Sequence, residues 1–382
     1  MAKNFCRETL MVALYGQSFT KEQLLTYVGD LSQIARVLPY RLQEGKEDGV
    51  YALDVFNGSG LRYTVLASRG MDISSASFNG CALAWRSATT DAHPAYFDHE
   101  GEGGRGWLRS FYGGLVVTCG LTYAGANGED EGRLYGLHGR ISNLPAYNVS
   151  YETRWEGDEY ALTVRGKVRE ATVFGENLEL TRTITTYLGS PSLHIHDEVA
   201  NLGYRTTEHM ILYHINIGFP IIADGARLIA PTLNATPRDA DAEEDAERYA
   251  EFDAPKAGYR EKVYFHQFPP QTDQVAVSLV NPNLQVGGVK GLGIRCRYRP
   301  SQLPRFSEWK MLDAGTYVVG LEPANCLVLG RAHERKAGTL QFLEPGEVRQ
   351  YDITLDVLWG MEAIHDAEQE CQHMLEAAGQ PA

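Results

Sequence analysis

The stretch YALDVFNGSGLRYTVLAS, residues 51–68, holds two short apolar runs separated by an Asn-Gly-Ser-Gly turn. Val, Tyr, Thr and Ile favour strands, and Asn and Gly adopt the backbone angles that tight turns require. The same texture repeats from about residue 50 to 358, with further turns such as LGSPS, DGAR and EPGE. Because helices hardly alternate with these runs, the pattern excludes a parallel α/β fold and predicts an all-β, antiparallel sandwich or barrel.

Two helices are predicted at the ends of this strand region. Residues 19–37 space apolar side chains three and four apart, Thr20 resembles a cap, and Gly29 is where the helix would break. Residues 361–378 return to helical spacing, and we expect that helix to pack on the outside. No linker, repeat or low-complexity tract divides the 382 residues, so the sequence predicts one domain.

The composition limits the class of partner. The formal net charge is −14 at pH 7, which argues against nucleic acids and anionic membranes, because both require basic patches on a protein. No apolar run reaches the roughly 20 residues of a membrane span, and Glu8 interrupts the apolar residues at the N-terminus, so we expect no secretory signal. A neutral small molecule fits this composition more easily, and a homo-oligomer is compatible with it.

Six cysteines are scattered along the chain without paired spacing. This arrangement is typical of reduced thiols rather than of a disulfide framework or a zinc site, so we expect a cytoplasmic protein. The residues are Cys6, Cys81, Cys119, Cys296, Cys326 and Cys371.

Two further segments allow more than one interpretation. Residues 237–252 are acidic and poor in strand formers, which indicates a solvated excursion between strands or, alternatively, a substrate lid. His194 and His196 lie two apart in HIHDE and would face the same side of a strand, where they could bind a metal. No third ligand follows at a metalloprotein spacing, so a solvated strand face is favoured.

Four short segments place ionisable side chains where strands should end. Glu322 directly follows the apolar run TYVVGL, and a carboxylate there must be paired or have a shifted pKa. His214 follows three apolar residues and, taken alone, is more often a hydrogen-bonded core residue than a catalyst. The segments are LASRGMDISSASFNG with Arg69 and Asp72, GLHGRISN with His138 and Arg140, LYHINIGFP with His214 and Asn216, and VVGLEPANC with Glu322.

The segment around His138 poses a question of geometry. If LHGRIS is a strand, His138 and Arg140 point the same way, and both face or border a cleft. If it is a tight turn, only His138 points inward and Arg140 lies in solvent. Similarly, Arg69 before Gly70 is either a binding residue or a surface cation on an edge strand.

In their order along the chain, RGMDI, GGLVVTCGL, LHGRISNLP, LYHINIGFP and GLEPANC resemble motifs of the galactose-mutarotase-like, or aldose 1-epimerase-like, superfamily. The resemblance is stronger to a poorly characterised branch and runs from about residue 15 to 358. It implies a β-supersandwich, which is a large antiparallel two-layer fold with an open sugar-binding cleft on one face. The strand-and-turn pattern agrees with that expectation.

The resemblance also implies roles for three residues. His138 binds the sugar, His214 is the general acid and Glu322 is the general base of an enzyme that interconverts sugar anomers. The base removes the proton of the anomeric hydroxyl while the acid protonates the ring oxygen, so the ring opens and can close to the other anomer. We expect the carboxylate and an imidazolium on opposite sides of the ring, held apart so that they do not neutralise each other. No metal or organic cofactor is required.

Further hydroxyl-binding groups and one departure follow from the same resemblance. Arg69, Asp72, Arg140 and Asn216 are expected around the sugar ring, because sugars are bound by dense hydrogen bonding. The NRI segment that well-characterised mutarotases carry before an HGG turn is replaced here by VVTCGL, and the turn reads HGR. One sugar contact has therefore been lost or has moved, in which case Arg140 or Arg69 replaces it, and the substrate can differ from galactose or glucose.

Two other functions remain open on the same scaffold. One is an isomerase or lyase of an acidic or oxidised sugar, because the guanidinium of Arg140 would suit a carboxylate. The other is a non-catalytic sugar-binding protein, which the presence of both His214 and Glu322 disfavours. A fold alone does not separate these functions.

Overall fold

The computed structural model describes residues 11–270 and 272–379 of the chain, and strands dominate both ranges. In chain order the strands are β1 Val12–Leu14, β2 Gln17–Phe19, β3 Arg36–Arg41, β4 Tyr51–Phe56, β5 Leu61–Leu66, β6 Asp72–Phe78, β7 Cys81–Ala82, β8 Val117–Leu121, β9 Gly128–Asp130, β10 Arg133–Tyr135, β11 Tyr147–Glu156, β12 Glu159–Ala171, β13 Asn177–Tyr187, β14 Ser192–Asn201, β15 Thr207–Gly218, β16 Arg227–Ile229, β17 Asn234–Pro237, β18 Lys262–Gln267, β19 Val275–Val286, β20 Val289–Tyr298, β21 Arg305–Asp313, β22 Thr316–Ala324, β23 Gln341–Leu343 and β24 Val348–Trp359. The helices are α1 Lys21–Tyr27, α2 Gly101–Gly104, α3 Ala240–Glu243, α4 Arg331–Ala337 and α5 Met361–Ala377.

Two large antiparallel sheets form the body of the protein. One has eight strands in the order β11-β12-β13-β14-β24-β20-β19-β16. The other has the order β17-β18-β21-β22-β15-β23, and β8 also pairs with β15. A five-stranded sheet, β3 to β7 in sequence order, and the hairpins β1-β2 and β9-β10 complete the set. This architecture confirms the predicted all-β antiparallel sandwich.

The core lies where the sheets face one another. Buried apolar side chains alternate with more exposed residues along the long strands, as in β12, where Leu162 and Val164 are buried on one face. They join one hydrophobic cluster with Ile215 of β15 and Leu321 of β22. Each fully buried side chain of this size contributes about 1.5 to 3 kcal/mol by leaving water. The core therefore fixes β15 and β22 rigidly.

A cluster of buried charges also joins the sheets. Arg182 on β13 contacts Asp72 on β6 at 2.7 Å and Asp197 on β14 at 2.6 Å, and all three side chains are fully buried. Arg182 also donates to the hydroxyl of Thr118 on β8, and the hydroxyl of Tyr213 on β15 donates to Asp197. Every charge has an opposite partner, so the cluster can exist without water.

The N-terminal helix is shorter than the predicted span of residues 19–37. Thr20 and Gln23 form the capping box that starts α1, but the helix ends at Tyr27. A separate short turn follows in which the side chain of Asp30 accepts a hydrogen bond from the Ser32 amide. Asp30 favours that local bond over continuation of the helix, and β3 has begun by residue 36.

The C-terminal helix agrees with the prediction. It spans Met361–Ala377 and packs Ile364, Ala367 and Cys371 against an outer part of the eight-stranded sheet. The helices in the described parts of the chain lack the length and apolar character needed to cross a membrane.

The cysteines in the described ranges are unpaired thiols, in agreement with the prediction. They are Cys81, Cys119, Cys296, Cys326 and Cys371. Cys6 and Glu8, which also entered the sequence interpretation, lie outside the residues that the structure describes.

Candidate active site

His214 and Glu322 lie opposite each other on two neighbouring strands. β15 and β22 are antiparallel with Ile215 paired to Leu321, and this register places His214 against Glu322. His214 Nε2 is 3.1 Å from Glu322 Oε1, and both side chains are almost completely buried. The structure thus brings together the two residues that the motifs single out for acid and base chemistry.

This contact corrects one expectation about the pair. The two groups are not held apart on opposite sides of a ligand, because directly opposed positions on paired strands place side chains of one face next to each other. Burial raises the pKa of Glu322 to about 8, with a further rise from Glu261 that Arg238 partly offsets. Burial also lowers the pKa of His214 well below its usual value. At neutral pH the pair is therefore a carboxylic acid beside a neutral imidazole.

A glycine makes room for this pair. Gly320 on β22 lies between Asn216 of β15 and Trp309 of β21 in the sheet register. A Cβ atom at Gly320 would lie 2.9 Å from Glu322 Oε1 and 3.1 Å from His214 Cε1. Any side chain at this position would displace the two groups, so the spacing of the pair depends on Gly320.

Aromatic rings surround the pair. Trp309 and Phe111 each have a ring centroid 5.2 Å from that of His214. Trp107 stacks on Phe111 at 4.2 Å, and Trp85 contacts Phe111 at 5.7 Å. Flat aromatic faces exclude water and pack well against the C–H faces of a sugar ring. They also supply the low-dielectric surroundings that shift both pKa values.

His138 belongs to a tight turn rather than a strand. His138 and Gly139 both have left-handed backbone angles, with φ of +56° and +73°, so the strand interpretation of LHGRIS is wrong. The His138 ring lies 4.6 Å from the Trp107 ring and 5.8 Å from the His214 ring. Burial lowers the pKa of His138 to about 4. Its Nδ1 accepts a long hydrogen bond of 3.4 Å from the Gly125 amide, which leaves Nε2 to carry the proton of the neutral ring.

Arg140, in contrast, is not among the residues that line the cleft. It is half-buried and lies near His99, whose pKa burial lowers to about 4 with a further contribution from Arg140. The left-handed backbone at the two preceding residues removes the strand alternation that would have aligned Arg140 with His138.

Asn216 lies behind His214 on the same strand. Its amide nitrogen donates to the carbonyl oxygens of Gly114 at 3.1 Å and His214 at 2.9 Å. Burial lowers the pKa of His214, His138 lowers it further, and the Asn216 side chain opposes both. Its position suits orientation of the imidazole rather than contact with a ligand.

Arg69 and Asp72 do not reach the cleft either. The guanidinium of Arg69 is buried and donates to the carbonyl oxygens of Ser142, Ala92 and Ser110 at 2.7 to 2.8 Å. Arg69 thereby ties together three loop segments next to the site. Asp72 is fully occupied by Arg182 and Thr118 in the core.

The cleft above the pair has a volume of about 470 Å³, which suits a small ligand. Sequence reasoning missed most of its lining, namely Trp85, Ser87, Thr89, Arg105, Trp107, Phe111, Asn127, Arg238, Glu261, Trp309 and Thr316. Three of the five tryptophans of the chain are in this set. Tryptophan is rare in this chain, and that rarity is a hint of a functional site. The three residues lie in separate segments, however, so their spacing in the sequence does not show that they line the same cleft.

The acidic segment 237–252 reaches the cleft at one end and is not only a solvated excursion. It contains α3, and its Arg238 lines the cleft. Arg238 donates to Glu261 at 3.0 Å, and the indole of Trp309 donates to the other oxygen of Glu261 at 3.0 Å. The segment therefore supplies one wall residue and an anchor for an aromatic ring.

Two groups of residues have side chains of the kinds that bind metals. His194 and His196 bond to Thr354 at 3.0 Å and to Asp352 at 2.7 Å on the neighbouring strand, which agrees with a solvated strand face. In the described part of the chain, Asp130, Glu131 and Glu208 have carboxylate oxygens close enough together for a metal ion. Arg331 and Arg335 already bind this group, so cations of the protein itself neutralise it.

The chain is similar to one family model and to several solved structures. A family model described as "Domain of unknown function (DUF4432)" matches residues 47–357. No curated protein matches the chain.

Several solved structures are similar. A "putative aldose 1-epimerase" of Klebsiella pneumoniae subsp. pneumoniae has a TM-score of 0.83 at 27% identity, covering 89% of this chain and 87% of that one. A galactose mutarotase-like protein of Clostridium acetobutylicum has a TM-score of 0.52 at 10% identity, covering 85% and 99%. A galactose mutarotase related enzyme of Lactobacillus acidophilus has a TM-score of 0.50 at 12% identity, covering 84% and 97%. The last two show the fold alone, and together the likenesses confirm the galactose-mutarotase-like fold that the motifs predict.

Proposed function

The chain belongs to the DUF4432 family, and on that premise we propose that it is a carbohydrate-active isomerase that interconverts sugar anomers by acid/base ring opening. One observation carries the proposal: His214 Nε2 and Glu322 Oε1 lie 3.1 Å apart at the base of an aromatic cleft. Ring opening needs one group that accepts a proton and one that gives a proton, and no redox step. A carboxyl and an imidazole that share one proton meet that need.

The chemistry fits two groups placed side by side. The anomeric hydroxyl and the ring oxygen are bonded to the same carbon, so neighbouring side chains can reach both. Glu322 takes the proton from the anomeric hydroxyl, the bond between the anomeric carbon and the ring oxygen breaks, and His214 gives a proton to the ring oxygen. Rotation about the bond to the freed aldehyde and closure with both transfers reversed yield the other anomer.

Substrate binding would determine whether Glu322 or His214 carries the proton that they share. Before a sugar binds, burial keeps the proton on Glu322. A sugar hydroxyl that donates to Glu322 stabilises its carboxylate form, and the proton then passes to His214 across their 3.1 Å contact. His138, through Nε2–H, would donate to a ring or hydroxyl oxygen, while Trp107 and Trp309 pack against the ring faces.

A substrate screen tests this function. Saturation-exchange NMR on a panel of aldoses, ketoses and uronic acids measures anomer exchange directly. We expect exchange of at least one aldose well above its spontaneous rate. Binding without exchange would favour a non-catalytic sugar-binding protein, and new product resonances would favour an isomerase or lyase of the bound sugar.

A further inference from the structure

The cleft and the whole molecule differ in charge. The chain carries a formal net charge of −14, yet the ionisable side chains lining the cleft are two arginines, two histidines and two glutamates: Arg105, Arg238, His138, His214, Glu261 and Glu322. Both histidines are neutral at pH 7, and Glu322 is protonated. Two guanidinium groups then face a single ionised carboxylate, so the lining is cationic inside an acidic protein.

Arg105 is the cation that lacks an acidic partner. Its side chain is exposed, and in residues 11–270 and 272–379 no carboxylate lies within ion-pair distance of it, whereas Arg109 on the same segment is paired with Glu102. Its backbone, however, is held. The Arg105 amide donates to Gly101 at 3.0 Å, and the preceding carbonyl, that of Gly104, accepts from Leu137 at 2.8 Å. The loop therefore fixes the backbone that carries this guanidinium at the cleft.

Arg238 is held in a defined orientation. Its Nε donates to Asp239 at 2.7 Å, and its Nη2 donates to Glu261 at 3.0 Å. The Arg238 amide also donates to the Val263 carbonyl at 2.9 Å. These bonds leave Nη1 without a bond to either carboxylate. A guanidinium with an oriented, unused N–H group binds an oxyanion at a low cost in side-chain entropy.

We propose that the cleft selects a sugar bearing an anionic substituent, a carboxylate or a phosphate, which Arg105 binds at the mouth of the cleft with Nη1 of Arg238 as a second donor. This inference rests on the proposed function, since it assigns the substrate class of the same site. The sugar ring lies over the aromatic side chains, and its anionic group remains near the solvent-exposed Arg105. Carboxylate and phosphate share the oxygen geometry that a guanidinium recognises.

Binding to a variant without the general base separates this inference from turnover. Calorimetry on Glu322→Gln with D-glucuronate, D-galacturonate, D-glucose 6-phosphate, D-glucose and D-galactose measures affinity whether or not the protein is an isomerase. We expect at least one anionic sugar to bind about tenfold to a hundredfold more tightly than its neutral counterpart, which corresponds to one charged hydrogen-bonded contact. The uronates and the phosphate distinguish the two kinds of anion.

The source of the preference is tested by a matched pair of variants. Arg105→Gln, in the same background, should lower the ratio of anionic to neutral affinity about tenfold or more. Arg109→Gln, four residues further along and outside the cleft, should leave that ratio unchanged. Equal binding of anionic and neutral sugars, no binding of any anionic sugar, or the same ratio in Arg105→Gln overturns the inference. Loss of anomer exchange alone would contradict only the proposed function.

Discussion

At the residue scale, His214 and Glu322 share one proton because neither can carry a charge easily where it lies. Both side chains are buried, and burial moves the two pKa values in opposite directions, down for His214 and up to about 8 for Glu322. Groups in such close contact titrate as a pair, so the pair loses its proton in one step near pH 8. The singly protonated pair is the form that holds both an acid and a base.

The pH dependence of kcat/KM follows from this proton. We expect a constant value around neutral pH and a tenfold fall for each pH unit well above about 8, where the raised pKa of Glu322 is passed. Initial exchange rates on the best substrate between pH 6 and pH 10 measure it. A rate that rises through pH 8 would mean that the doubly deprotonated pair is the active form.

The buried carboxyl of Glu322 should also lower the free energy of unfolding at high pH. Its folded pKa of about 8 lies above the ordinary value of 4.5, so the folded state keeps a proton that the unfolded state releases. Stability therefore falls as pH rises from 4.5 to about 8. Glu322→Gln removes this loss, and we expect it to raise the free energy of unfolding at pH 8.5 by about 2 to 4 kcal/mol relative to wild type. Urea unfolding at pH 5 and pH 8.5 measures the difference, and an equal effect at both values would contradict it.

At the element scale, three neighbouring strands build the site. β21, β22 and β15 run side by side, so that Trp309, Gly320 and Asn216 form one row and Ser307, Glu322 and His214 form the next. Side chains two apart on a strand share a face, and Gly320 is therefore the space into which the Glu322 carboxylate and the His214 ring extend. Strand register, rather than any loop, sets the 3.1 Å contact.

Gly320→Ala should damage catalysis more than stability. The new methyl group would lie 2.9 Å from Glu322 Oε1 and 3.1 Å from His214 Cε1, closer than ordinary contacts. We expect kcat to fall at least tenfold and the free energy of unfolding to fall by about 1 to 3 kcal/mol, the usual cost of overpacking. Gly29→Ala, whose Cβ would meet no atom within 4 Å, is the control for each measurement. A wild-type kcat in Gly320→Ala would show that His214 and Glu322 can accommodate the added methyl group without loss of activity.

The sequence predicts these strands better than it predicts their contacts. Alternation and apolar runs place His214 and Glu322 on strands, but their separation depends on the register of β15 with β22, which the whole sheet determines. The turn at His138 shows a second limit. The pattern LHGRIS fitted both a strand and a tight turn, and only the left-handed φ of +56° at His138 in the structure decides for the turn.

At the scale of the whole molecule, the buried cluster around Arg182 links strands of three sheets. The Arg182 guanidinium donates to Asp72, Thr118 and Asp197, and the hydroxyl of Tyr213 donates to Asp197. Tyr213 precedes His214 on β15, so the cluster also fixes the strand that carries the imidazole. Asp72, predicted as a sugar ligand from its place in RGMDI, belongs to this cluster.

Asp72→Asn should therefore act on stability. Removing one carboxylate leaves Arg182 with an incomplete set of buried partners, and we expect the free energy of unfolding to fall by about 3 to 5 kcal/mol. Asp54→Asn, which breaks the 2.7 Å contact of Asp54 with the exposed Arg62 on a neighbouring strand, should cost about 1 kcal/mol or less. Urea denaturation compares the two. An unchanged unfolding midpoint together with weaker sugar binding would instead support a role for Asp72 as a sugar ligand.

The overall fold was predictable because its signal is repeated in many strands and turns along the chain. The lining of the cleft was not, because it is assembled from distant segments: Arg105 follows α2, Arg238 follows β17, and Trp309 lies on β21. Each of these residues has an ordinary local environment in sequence. Only the closed sandwich brings them within one cavity of about 470 Å³.

Anomer exchange by Glu322→Gln, measured by saturation-exchange NMR on the sugar that wild type turns over fastest, tests the proposed acid/base pair most directly. Glu159→Gln, at an exposed position of β12, is the matched control, and circular dichroism verifies that both variants are folded. The proposal predicts wild-type exchange in Glu159→Gln and a rate about a hundredfold to ten-thousandfold lower in Glu322→Gln, the usual cost of losing a general base. A folded Glu322→Gln that exchanges anomers at the wild-type rate would contradict it.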